Sequence, residues 1–302
     1  MVNALLLTIK SNWRPRMYYS FARLKEMFSF CSWSIIDSVL VWATSYIDIF
    51  FIGRALNEYY LGIYKTSIST VGQFTSLITA SILPVLMPAL SRLQGDASEM
   101  RTTLLKFQKY TGVLLLPLGV GIYVFRDLIT AVMLGDQWTE AAPFIGLWAL
   151  MEVITVIFSR FCSVVYPSIG KPNLSVAAQI LHLIVLVPAV IISGKYGFEA
   201  LYITRSLVRI ELIVVNLIMV YISIKQSAWK MFVNIIPELL SCVVMAVVGF
   251  GLLQLDNSII LSFAWVAICM VIYFSVLWLF PSDRVILNNM KGKILMRIKI
   301  HK

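Results

Sequence analysis

The chain has 302 residues, 60% of them hydrophobic and only 13% charged, with a net charge of +10. A water-soluble domain carries about 25% charged residues, so this composition excludes an ordinary solvated surface and points to lipid as the surrounding medium. The basic excess does not mark a nucleic-acid binder, because Lys and Arg lie between and beyond the apolar runs rather than in a patch with interleaved aromatics.

In chain order, Met1–Ile9 is apolar but too short to cross a bilayer, and it lacks the basic start and cleavage pattern of a signal peptide. A basic segment completes residues 1–27. Eight apolar spans come next, at approximately 28–51, 60–86, 104–125, 141–165, 173–193, 198–222, 233–254 and 258–280, before a basic tail, 281–302. An all-α, polytopic transmembrane helix bundle is predicted, because an open sheet would leave backbone groups unsatisfied in lipid. The long continuous runs lack the alternation of a membrane β-barrel.

Helical geometry sorts the polar residues of these spans into faces. In the first span Asp37, Thr44 and Asp48 share a narrow stripe. In the second, Lys65, Ser69, Gly72, Ser76 and Thr79 line one side, and Pro84 and Pro88 come near the end. Pro117, with Gly119 and Gly121, is expected to interrupt the third span. The turn Leu134-Gly135-Asp136 precedes Trp138, which is expected at headgroup level. In the fourth span Glu152, Thr155 and Ser159 align, with Arg160 off to one edge. His182 stands alone in the fifth and is read as a satisfied interior histidine. In the sixth, Tyr202, Arg205, Arg209 and Asn216 align, while Glu211 points about 120° from Arg205.

Each ionisable residue at a helix centre costs roughly 2.5–3.5 kcal/mol on insertion scales. Two readings compete for every stripe: hydrogen-bonded glue between helices, or the wall of a polar pathway. Asp48, near a span end, can also reach the interface. Arg205 and Arg209 repel each other unless an anion compensates, and Glu152, Asp37 or a phosphate-bearing ligand would serve.

Of the Lys and Arg residues, eighteen fall on one face of the predicted topology and three (Arg54, Arg126 and Lys195) on the other. The basic side includes Lys109, and by the positive-inside rule both termini are expected in the cytoplasm. The four cysteines, Cys31, Cys162, Cys242 and Cys269, stand singly, and no metal, cofactor or hydrolase motif is present in the sequence. Neither an enzyme nor a cofactor is expected.

The order Trp13-Arg14-Pro15, Phe28–Phe30, Asp48 with Ile52-Gly53, and Leu61-Gly62-Ile63-Tyr64 resembles the Wzx-type lipopolysaccharide and exopolysaccharide flippases. These belong to the multidrug/oligosaccharidyl-lipid/polysaccharide exporter superfamily. The resemblance continues through Pro88-Ala89-Leu90-Ser91-Arg92, Leu134-Gly135-Asp136-Gln137-Trp138 and Gly170-Lys171-Pro172. It implies a two-lobe carrier of undecaprenyl-diphosphate-linked oligosaccharide in the bacterial inner membrane. In that scheme residues 1–27 match the inter-lobe connection, 28–224 the second six-helix lobe, and 225–302 two additional helices with a basic tail. The first lobe would then come from another polypeptide, from a second copy, or from a longer version of the gene. Stripe geometry nominates Lys65, Arg205 and Arg209 for the anionic cargo. The carboxylates Asp37, Asp48 and Glu152 are the candidates for ion coupling or counter-charge. A cation-coupled drug exporter of the same superfamily and a structural subunit of a polysaccharide-synthesis complex are the alternatives.

Overall fold

A computed structural model describes residues 21–255, 258–284 and 288. The segment around Trp13-Arg14-Pro15, the first residues and most of the basic tail lie outside the described residues. The described chain is helical, and eight of its helical segments are long and apolar enough to cross a membrane. They run over 27–54, 58–91, 97–124, 136–168, 173–194, 198–224, 236–255 and 259–278, matching the eight expected spans one for one.

The helices are α1 (Phe21–Ala55), α2 (Glu58–Ser91) and α3 (Ala97–Val124), which form the first three spans. A short α4 (Arg126–Met133) precedes the fourth span, which is a composite. It consists of a 3-10 turn (Asp136–Ala141), α5 (Ala142–Thr155), a π-helical turn (Val156–Arg160) and α6 (Phe161–Ser168). The fifth span is α7 (Asn173–Gly194); the sixth is α8 (Phe198–Leu207) joined, after Val208, to α9 (Arg209–Ile224). A short α10 (Ala228–Asn234) leads to α11 (Ile236–Leu255) and α12 (Ile259–Trp278).

Local chemistry sets the ends. Asn57 caps α2 by accepting from the Tyr60 amide at 3.1 Å, and Asp96 caps α3 by accepting from Ser98 and Glu99. Gly135 (φ 90°) and Gly197 (φ 99°) supply the left-handed turns that admit the fourth and sixth spans. The expected interruption at Pro117 does not occur, and α2 likewise continues through Pro84 and Pro88. Packing by neighbouring spans holds each helix together across the missing amide.

The fourth span is the most enclosed, with 78% of its most apolar stretch buried, whereas the corresponding value for the first is 11%. The fourth span therefore forms the axis of the bundle. It packs against α2, α3, α8 and α9; α1 lies along α7; and α11 with α12 leans on α3. Two apolar clusters result. One, near the span ends that carry the acidic 126–140 connection, gathers Tyr64, Phe144, Trp148 and Tyr202. The other joins α2, α3, the fourth and sixth spans and the last two helices. Trp138 stacks on Tyr59 at 6.0 Å between ring centroids and closes over Gly62, where a side chain would meet its ring at 3.3 Å.

At the basic end, Lys109 is buried rather than part of a solvated basic face. Its Nζ donates to Glu238 at 3.1 Å and to the Asn234 carbonyl at 2.9 Å, and it pairs with Asp283 at 2.9 Å. The triad ties α3 to α11 and to the turn beyond α12.

Candidate functional site: a buried arginine cluster beside a polar cavity

Between the first, second, fourth, fifth and sixth spans lies a cavity of about 450 Å³. Its polar lining includes Thr44, Ser159, Arg160, Gln179, His182, Arg205, Arg209 and Asn216. These residues come from four different spans, and the polar stripes described above deliver most of them to the same hollow.

Arg205, on the last turn of α8, is buried and pairs through Nε with Asp48 Oδ2 at 2.6 Å. Its other end donates to the Thr44 carbonyl at 3.2 Å. Asp48 is fully enclosed: Tyr64 donates to it at 2.5 Å and the Ile49 amide at 2.8 Å. It does not reach toward the interface, because three donors hold its carboxylate inside the bundle.

Arg209, on the first turn of α9, donates to Glu152. Its guanidinium lies over the Trp148 ring, 3.7 Å from the centroid, and Arg205 lies 5.3 Å from the same centroid. A shared π face lets two cations stand close together at reduced cost. The Nε of Arg209 is buried and meets no acceptor among the described residues.

Glu152 also accepts from Arg160 at 2.7 Å. Eight residues of regular α-helix would leave Arg160 about 80° away from Glu152. The π-helical turn at Val156–Arg160 inserts about one extra residue, which rotates the downstream helix by about 100° and brings Arg160 onto the Glu152 face. That is why a regular helical projection sets Arg160 to one side. Its side chain remains 47% exposed, against 11% for Arg209 and 6% for Arg205.

Three guanidiniums thus gather around Asp48 and Glu152, with a third carboxylate, Glu211, behind His182, and Arg160 is the guanidinium most open to the cavity. Further along the wall, Asn216 donates to Ser159 at 2.9 Å and accepts from Tyr166 at 3.0 Å. His182 meets Glu211 through Nδ1 at 2.8 Å, so the histidine is satisfied and Glu211 has its partner on the fifth span.

The remaining sequence-nominated residues lie elsewhere. Asp37 is half-buried and accepts from Ser175 at 2.7 Å, which ties α1 to α7. Lys65 is exposed on the outer face of α2 and forms no ion pair with a described residue. Ser69, Gln73, Ser76 and Ala80 continue the same line toward Pro84. Stripe geometry does not single out Trp148 or Tyr64, and it sets Arg160 aside. The aromatic pair reads as ordinary core in sequence, and the π turn hides the phase of Arg160.

Among the described residues, no nucleophile stands beside a base at this cavity. Charge-assisted donors around a polar hollow are suited to holding an anion reversibly.

Residues 1–143 match the model of a family described as polysaccharide biosynthesis protein. The chain is 20% identical over 201 residues to the lipopolysaccharide biosynthesis protein WzxC of Escherichia coli, covering 67% of this chain and 40% of that protein. It is 21% identical over 272 residues to the teichuronic acid biosynthesis protein TuaB of Bacillus subtilis, covering 86% and 56% respectively. A probable low-salt glycan biosynthesis flippase, Agl15 of Haloferax volcanii, is 22% identical over 275 residues, covering 88% and 56%. The chain spans about half, or less, of the length of these relatives. No solved structure matches it. The chain is a multi-pass membrane protein and a distant relative of the polysaccharide biosynthesis proteins.

Proposed function

We propose that the chain forms one lobe of a flippase that carries a polyprenyl-diphosphate-linked oligosaccharide across the bacterial inner membrane. Residues 28–224 are the lobe, 225–302 its two additional helices and tail, and both termini are cytoplasmic. The observation that carries this reading is the half-exposed guanidinium of Arg160 at the cavity, held by Glu152 from one side, backed by the buried Nε of Arg209, which meets no acceptor among the described residues. A guanidinium open to a polar hollow has donors left over from its one carboxylate partner, and these suit an anionic guest.

Arg205 and Arg209 act mainly as the scaffold of this site, since Asp48 and Glu152 already hold them. The line Lys65-Ser69-Gln73-Ser76 supplies a second polar wall on the outside of the lobe. A lysine facing hydrocarbon there is costly, so that wall faces water and a second lobe, from another polypeptide or another copy. A carrier of organic cations would be served poorly by this cavity, because the carboxylates beside it are engaged by arginines.

The test is binding. The purified chain in phosphatidylcholine nanodiscs is titrated with polyprenyl diphosphate and, separately, with the uncharged polyprenol. The diphosphate is expected to bind more tightly, and Arg160→Gln to weaken it by about 10- to 100-fold, as for loss of a charged hydrogen bond. Equal affinity for the two lipids, or an unchanged affinity in Arg160→Gln, would overturn the assignment.

A further inference from the structure

A second basic hollow opens at the other end of the sixth span, away from the arginine cluster. The chain leaves α9 at Lys225 and folds across the first turn of α3, enclosing a cavity of about 380 Å³. Three cationic side chains line it, Arg101, Lys225 and Lys230, with the hydroxyls of Ser98, Thr102 and Ser227 among them. Among the described residues no carboxylate lines it. Asp96, on the neighbouring turn, is committed to the helix cap, where it accepts from the Ser98 and Glu99 amides at 2.9 and 3.0 Å.

Two of the three cations have partners of their own. Arg101 is half-buried and donates through one terminal nitrogen to the Ile224 carbonyl at 2.9 Å, which fixes it beneath the end of α9. Lys225 adopts a left-handed conformation, φ 56° and ψ 31°, and is the one non-glycine residue with positive φ among the described residues. This is the helix's C-cap, where the Lys225 amide donates to the Tyr221 carbonyl. Its ammonium stands over the Tyr221 ring, 5.3 Å from the centroid.

The cavity lies where the third span begins and the sixth ends, and the ends of membrane spans lie close to the headgroups. Beside Lys230 on α10, Trp229 and Phe232 stack at 6.1 Å and are 70% and 44% exposed. Exposed aromatics at this level sit among headgroups and upper acyl chains.

We propose that this hollow binds the phosphodiester headgroup of an anionic phospholipid, with the acyl chains passing beside Trp229 and Phe232. A basic pocket between helices at a membrane face recognises such lipids by charge-assisted hydrogen bonds. A soluble phosphate would use the cations but would leave the aromatic flank without a role.

The chain in neutral detergent is exposed to phosphatidylglycerol or phosphatidylcholine, and bound lipid is counted by native mass spectrometry. The wild-type chain should retain phosphatidylglycerol preferentially. The pair Lys225→Gln and Lys230→Gln should weaken that retention by about fivefold per charge. Lys225→Arg with Lys230→Arg should keep it, as should the control pair Lys106→Gln and Lys171→Gln, which removes two charges outside the hollow. Equal loss in the control pair would reduce the effect to general surface charge and overturn the site. Displacement of the lipid by an equal concentration of inorganic phosphate would overturn the lipid assignment. All variants are compared at an unchanged unfolding midpoint; retention unaffected in a folded Lys225→Gln, Lys230→Gln chain would also refute the proposal.

Discussion

Arg160 and Glu152 meet at 2.7 Å across the π-helical turn of the fourth span, and the same carboxylate accepts from Arg209 of the sixth. One buried acid therefore joins the axis of the bundle to the sixth span, which carries Arg205 and Arg209. The arrangement separates two roles: a half-exposed guanidinium free to meet a guest, and an enclosed one that keeps the carboxylate in place.

That separation predicts unequal stability losses. Glu152→Gln leaves a buried guanidinium without its counter-ion and is expected to cost about 3–5 kcal/mol. Arg160→Gln removes a half-exposed partner and should cost no more than about 1 kcal/mol. Unfolding titrations in mixed micelles would read both; equal losses would contradict the assignment of Arg160 as the accessible member.

The Asp48–Arg205 pair offers a cycle. Asp48→Asn alone should destabilise by about 3–5 kcal/mol, because Arg205 is left charged and enclosed. Combining it with Arg205→Met should recover most of the loss. Additive losses in the double variant would show that the two residues act independently.

Helix proximity makes a sharper stability test. A methyl group at Gly119 would lie 2.8 Å from the Val153 side chain, and one at Gly249 would lie 2.9 Å from Val124. Alanine at either position should cost about 1–3 kcal/mol through overpacking. Gly121 and Gly251 face open space, so alanine there should be neutral or slightly stabilising. Equal effects at all four positions would mean that the third span does not approach its neighbours this closely.

Lys109 holds two buried acids, Glu238 and Asp283. Lys109→Met should expose residues 281–284 to limited proteolysis and lower the unfolding midpoint. Adding Glu238→Gln and Asp283→Asn should restore both, since the triple variant buries no uncompensated charge. Protection unchanged in Lys109→Met would show that the triad does not dock the segment after α12.

Orientation is tested by labelling. A cysteine replacing Lys195 should react with an impermeant thiol reagent from outside intact cells, and one replacing Lys293 only after the membrane is opened. The reverse pattern would invert the proposed topology.

The spans are legible in the sequence because their signal is local: runs of about 20 apolar residues need no knowledge of neighbours. The alignment of Arg205, Arg209 and Asn216 on one face is legible for the same reason, and the three do line one cavity. Which acid serves which arginine is not. Arg205 and Asp48 are 157 residues apart, and Arg209 and Glu152 are 57 apart, so the pairing depends on how the spans are arranged. Arg160 escapes a helical projection for a different reason. A π turn leaves no composition mark, and an extrapolated 3.6-residue period carries the error into every residue beyond it. Lys109 reads as one more cation of the basic side because its two acids lie more than a hundred positions downstream.

Pro84 and Pro88 carry a consequence for the hydrogen-bonding capacity of the outside of α2. Neither has an amide hydrogen to give, so the carbonyls of Ala80 and Pro84, one turn earlier, lose their usual helical donors. They continue the line that begins at Lys65 and runs through Ser69, Gln73 and Ser76. The line holds one cation, Lys65, and otherwise hydroxyl and amide groups that both donate and accept. In the proposed carrier, these two carbonyls would add acceptors for sugar hydroxyls at the far end of the wall.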